Sequence, residues 1–113
     1  MEELKILQKT YDMIKYGNKC LLQFPRSERY ALAAEIKQSM YKILRLIIEA
    51  NKERGSKKPI QAKIDVELDI LRTFVRLAAD KETAYLPIRK YEIWSKQLNE
   101  IGRMLGGWMK ISR

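Results

Sequence analysis

Arg89, Lys96, Arg103 and Lys110 repeat at an interval of seven near the end of this 113-residue chain. Seven residues are close to two helical turns, so on a helix the four cations line one side. A row of guanidinium and ammonium groups neutralises phosphates or carboxylates; it does not itself break bonds. A second basic group, Lys52, Arg54, Lys57 and Lys58, surrounds a glycine and precedes a proline. A third, Arg72 and Arg76, stands one turn apart beside Leu71, Val75 and Leu77. These two arginines can pair with Asp69 and Asp80 inside the protomer, or offer a two-arginine fork to a partner's phosphate or carboxylate. The spacing leaves both readings open. All of this is the chemistry of binding.

The residues of catalysis are missing. The chain has no histidine and one cysteine, which removes the commonest general base and any ordinary zinc site. It contains no P-loop, no Gly-x-Gly-x-x-Gly and no Gly-x-Ser-x-Gly. Asp65, Glu67 and Asp69 are read as structural acids: Asp65 and Asp69 share one face near a helix start, and Glu67 points elsewhere. We therefore expect no catalytic residue, no metal and no cofactor. Cys20 is read as a small buried hydrophobe rather than a reactive thiol.

The whole chain agrees with a binding role. Lys and Arg total 23 against 14 Asp and Glu, a net charge of +9. That balance suits a polyanionic partner such as RNA or DNA, or an acidic protein face, with a merely solubilising cationic surface as the alternative. The excess is uneven: residues 24–58 carry net +5 and residues 87–113 net +4, whereas residues 59–86 carry net −1. No signal-peptide pattern opens the chain and no apolar run approaches a membrane span, so a cytoplasmic protein with no membrane contact is expected.

Helices must position these cations. Breaks at Phe24-Pro25-Arg26-Ser27, at Gly55 to Pro59 and at Thr83 to Pro87 predict helices over roughly 2–23, 27–54, 59–82 and 87–111 in a single domain, residues 1–113. Ser27 is the expected N-cap of the second, with Glu28 beside it. Each segment has an apolar seam at helical spacing. The first is Leu4, Leu7, Tyr11, Ile14 and Leu21; the second Ala33, Ile36, Met40, Ile43, Ile47 and Ala50. The third is Ile64, Leu68, Leu71, Val75 and Ala78, and the fourth Tyr91, Trp94, Leu98, Ile101, Leu105, Trp108 and Ser112. Both tryptophans lie on a seam and are read as packing groups, not base-stacking platforms. Gly102 and Gly106 share a face and are read as a close helix crossing. Long amphipathic helices joined by short loops predict an all-α, antiparallel up-down four-helix bundle. Surplus apolar residues on the second and third helices (Leu44, Ile48, Ile70, Phe74, Leu77) predict a homo-oligomer.

Three stretches carry a resemblance: Ile101-Gly102-Arg103-Met104-Leu105-Gly106-Gly107-Trp108-Met109-Lys110, Leu71 to Ala78, and Phe24-Pro25-Arg26-Ser27-Glu28-Arg29-Tyr30. Together they resemble the accessory variability determinant (Avd) family, encoded beside the reverse transcriptase of diversity-generating retroelements. The Phe-Pro-x-x-Glu-Arg-Tyr pattern is also similar to the intervening-sequence proteins of large-subunit ribosomal RNA genes, four-helix proteins that supply the alternative reading. Those usually carry Asn-Ile-Ala-Glu-Gly in helix two, where this chain has Ile47-Ile48-Glu49-Ala50-Asn51. The resemblance implies a pentameric barrel that binds the reverse transcriptase and the template-repeat RNA, and DNA nonspecifically, in support of mutagenic cDNA synthesis. It places Arg72 and Arg76 on the partner-binding surface.

Overall fold

The computed structural model describes residues 2–113. It contains α1 (Glu2–Leu21), a single 3-10 turn (Arg26–Glu28), α2 (Leu32–Lys52), α3 (Lys58–Ala79) and α4 (Ile88–Ile111), with no strand among the described residues. The helices close a four-sided bundle in which α1 packs on α2 and α4, and α3 packs on α2 and α4. The long dimension is 44 Å.

The seams of α2, α3 and α4 meet in the middle, because each presents apolar side chains at steps of three and four. Every expected seam residue of α2 and α3 is buried, as are Trp94, Leu98, Ile101, Leu105 and Trp108 of α4. Burying one such side chain contributes about 1.5–3 kcal/mol, so these rows dominate the stability of the domain. The Trp94 indole N–H, buried with the ring, finds Met13 Sδ at 3.4 Å.

The seam of α1 differs from expectation. Leu4 and Tyr11 are 54% and 55% exposed, and the core side is Ile6, Thr10, Met13, Ile14, Gly17 and Cys20. Gly17 belongs there because Met40 and Trp94 occupy the space a Cβ would take. With a threonine and a glycine at core positions, the buried face is less apolar by composition than its neighbour, and periodicity selects the wrong stripe. Burial pushes the Cys20 thiol above its ordinary range, while the Tyr16 hydroxyl and Lys90 pull the other way.

The boundary of α2 is also later than expected. Ser27 caps nothing: Pro25 (φ −55°, ψ 146°) leads into the 3-10 turn, and the helix starts at Leu32. Its first turn is served by the Glu28 carboxylate, which accepts the Leu32 N–H at 3.4 Å. The α1–α2 turn meets the α3–α4 turn through Phe24 and Tyr85, whose ring centroids lie 5.9 Å apart. At the other end α2 stops at Lys52, and α3 opens with Pro59 in its first turn.

Candidate nucleic-acid and partner interface

Burial of the α4 seam dictates where its cations go. Trp94, Leu98, Ile101, Leu105 and Trp108 point inward, so residues half a turn away point outward, and Arg89, Lys96, Arg103 and Lys110 are all exposed. Each step of seven advances about 10.5 Å along the axis. None of the four side chains makes an ion pair or a side-chain hydrogen bond among the described residues. Glu92 and Glu100 stand one turn away on the same side of α4 without pairing to them, so the row remains net cationic and available to an anion outside.

The α2–α3 turn brings further cations to the C-terminal end of that row. The Lys57 N–H and the Ser56 hydroxyl both donate to the Arg113 carbonyl, at 3.1 and 2.9 Å. Gln61 Nε2 reaches Ser112 Oγ at 2.8 Å. Lys52, Arg54 and Lys58 are exposed around this junction. Arg54 lines a shallow cleft with Arg113, and Glu3 and Glu53 share it, so the cleft is of mixed charge. Arg113 was invisible to sequence reasoning, because only folding lays the end of α4 against this turn.

Lys57 departs from the expected role. It is half-buried, and its ammonium donates to the carbonyls of Ala50 (2.7 Å), Glu53 (2.8 Å) and Asn51 (3.4 Å). The last carbonyls of a helix have no partner within it and carry the negative end of its dipole. Lys57 therefore terminates α2 and is not a free cation for a nucleic acid.

The α3 arginines part company. Arg72 folds across α4: Nη1 meets Asp69 Oδ1 at 2.9 Å and Nη2 donates to the Leu98 carbonyl at 3.4 Å. It lies where a side chain on Gly102 would stand. Arg76, one turn on, is exposed and has no partner among the described residues. The pairing of Arg76 with Asp80 is not formed, because Asp80 Oδ1 instead accepts the Glu82 N–H at 2.9 Å in the turn ending α3. The two guanidinium groups thus do not form a joint fork; one is seated and the other is free.

Two further expectations are resolved by packing. Glu67 is turned away from Asp65 and Asp69 into the α2–α3 interface, 8% exposed, where Ser39 Oγ donates to it at 2.7 Å and Lys42 approaches at 3.4 Å. The three acids therefore do not converge. Gly106 has nothing within 4 Å of a built Cβ, so it is no close crossing within the protomer, and at Gly102 the neighbour is the Arg72 side chain rather than a backbone.

The model of the bAvd-like family matches residues 4–112, nearly the whole chain, and the chain belongs to that family. No curated protein matches it. No helix among the described residues is long and apolar enough to cross a membrane.

Proposed function

We propose that this chain is a non-catalytic accessory subunit of a diversity-generating retroelement, which binds the element's reverse transcriptase and its template RNA and so supports mutagenic cDNA synthesis in the cytoplasm. Membership of the bAvd-like family supports the assignment. The observation that carries it is the row Arg89, Lys96, Arg103 and Lys110, exposed and free of ion pairs along the length of α4 among the described residues. Such a row suits the phosphate backbone and makes no demand on base sequence, since both tryptophans of α4 are buried and offer no stacking face. Arg76 is the α3 arginine free to meet the enzyme, and Arg72 shapes the surface next to it.

Assembly belongs to the same reading. Val66 (59% exposed), Ile70 and Leu77 form an apolar row on the outward face of α3, more than a solitary bundle is expected to leave in water. We read this row as covered by further copies, in a homo-oligomer for which the family resemblance suggests five. The up-down antiparallel arrangement is supported by pairs such as Gln61 with Ser112 and Arg72 with Leu98, in which one number rises as the other falls. Co-expression with the reverse transcriptase encoded beside it tests the proposal. The expected result is a complex that survives purification and carries template RNA; a chain that recovers neither enzyme nor RNA overturns it.

A further inference from the structure

We infer that the outer groove between α1 and α2 is a docking site for an acidic amphipathic helix of a protein partner, separate from the cationic row of α4. The groove exists because α1 ends at Leu21 while α2 starts only at Leu32, after Pro25 and the 3-10 turn, leaving a recess of about 810 Å³ between their ends. Its apolar wall includes Leu21, Phe24 and Tyr41, with Leu22 85% exposed beside them. Its charged wall is Arg26, Arg29 and Lys37, and no carboxylate lines it among the described residues. The acid of that turn, Glu28, is already engaged by the Leu32 N–H. None of the three cations has a side-chain partner among the described residues.

The recess continues as a strip. On α1, Leu4, Tyr11 and Asn18 recur at steps of seven, with Leu22 four further on just past the helix end; on α2, Ala34, Tyr41 and Ile48 recur at steps of seven. Asn18 Nδ2 donates to the Tyr41 hydroxyl at 3.3 Å, which puts both rows on one edge of the bundle. Leu4, Tyr11, Tyr41 and Ile48 are exposed along it, and Lys37, Arg45 and Lys52 flank it on α2. From Leu4 to Leu22 the strip runs about 27 Å, the length of a five-turn helix. A helix laid there would place apolar anchors at i, i+4 and i+7 over the floor and carboxylates against the arginines.

The chemistry selects this occupant. A phosphate backbone would answer the cations and leave the leucines and tyrosines in water, and the Tyr11 ring is already covered by the Lys15 ammonium at 5.8 Å. A second copy answers the floor but not the charge. The outward side of α3 and the turn after it, in the chain's one net-negative segment, set Asp65, Asp69, Asp80 and Glu82 against Lys63, Arg76 and Lys81, a surplus of one acid, and the other segments are net cationic.

Fluorescence anisotropy with a labelled helical peptide tests the site, the probe being about 18 residues long with leucines at i, i+4, i+7 and i+11 and glutamates on its flanks. Wild type should bind it, whereas Arg29→Glu with Lys37→Glu, or Leu22→Asp alone, should weaken binding by about tenfold or more. Leu22 is exposed, so its substitution leaves folding intact, as a thermal melt will verify. Lys63→Glu on α3 should bind the peptide like wild type. Four results overturn the inference: no binding of the acidic peptide; equal binding of a version with lysines for glutamates; displacement by a short RNA whose own affinity falls equally in the groove variants; or loss of the wild-type oligomer in Leu22→Asp by light scattering, which makes the groove a contact between copies.

Discussion

Arg72 and Gly102 face one another across the α3–α4 seam, and the guanidinium occupies the place where a Cβ on Gly102 would stand. The absent side chain lets Arg72 lie flat and donate to the Leu98 carbonyl. Gly102→Ala must therefore push Arg72 outward. Losing the hydrogen bond costs about 1 kcal/mol, and replacing glycine inside a helix returns about 1 kcal/mol, so net stability should barely change. At Gly106, where nothing would be met, Gly106→Ala should stabilise by about 0.5–1 kcal/mol. Urea denaturation of the two variants decides. A destabilised Gly106→Ala would mean that another molecule, or an unrecognised neighbour, packs there.

The separation of the two arginines predicts different phenotypes. Arg76→Ala should leave the melting curve within about 0.5 kcal/mol of wild type, as for an exposed side chain. If Arg76 is the arginine that meets the reverse transcriptase, its truncation should weaken that complex by about 2 kcal/mol, the cost typical of a desolvated interface arginine. Arg72→Ala should lower stability by about 1 kcal/mol as its internal bonds are lost. A pull-down and a denaturation curve on each single variant check this. Equal loss of binding with no loss of stability in Arg72→Ala would show that Arg72 leaves its seat to meet the partner.

Lys57 and Lys58 are adjacent in sequence and opposite in role. Lys57→Ala should destabilise by about 1 kcal/mol, because three carbonyls at the end of α2 lose their donor. It should leave the salt dependence of RNA binding unchanged. Lys58→Ala, Lys96→Ala and Arg103→Ala should each leave stability alone and reduce the slope of log affinity against log salt by about 1 if the side chain neutralises a phosphate. Filter binding across a salt series measures the slopes. An unchanged slope in all three would remove these cations from the nucleic-acid surface.

Cys20 gives the protein an alkaline limit. Its folded pKa is raised above the ordinary 9.0 by burial, so the unfolded chain gives up this proton first. The stability it contributes is complete below the ordinary value and is lost as pH rises through the raised one. Tyr16, also raised by burial and by Cys20, adds to the loss above its ordinary 10.0. Melting temperature should be level with respect to these two groups at neutral pH and fall above about pH 9. Cys20→Ala should remove the earlier part of that fall; an identical pH profile in this variant would assign it elsewhere.

Much of the architecture could be read from spacing, because a buried helical face must repeat at steps of three and four whatever it packs against. The seams of α2, α3 and α4, the inward tryptophans and the outward row Arg89 to Lys110 follow from that rule alone. Helix α1 escaped it because its buried face includes Thr10 and also Gly17, which makes room for Met40 and Trp94, while Leu4 and Tyr11 lie outside. Periodicity detects how apolar a face is; it does not detect what fills the space opposite. The start of α2 escaped for a related reason, since its first turn is served by Glu28 from four residues back, and Phe24 just before it packs on Tyr85 from a distant turn.

The candidate site divides along the same line. That the protein is cationic, that its cations stand in rows and that it lacks the usual catalytic groups were determined by residue types and their intervals, which no fold can change. Which cations are free was decided only in three dimensions. Lys57, Arg72 and Arg76 carry equal charge in the sequence, yet folding seats the first on the end of α2, lays the second over Gly102 and leaves the third in solvent. The physical reason is that a charge is spent or available according to the carbonyls and carboxylates within reach of its donors, and those neighbours come from other turns and other helices.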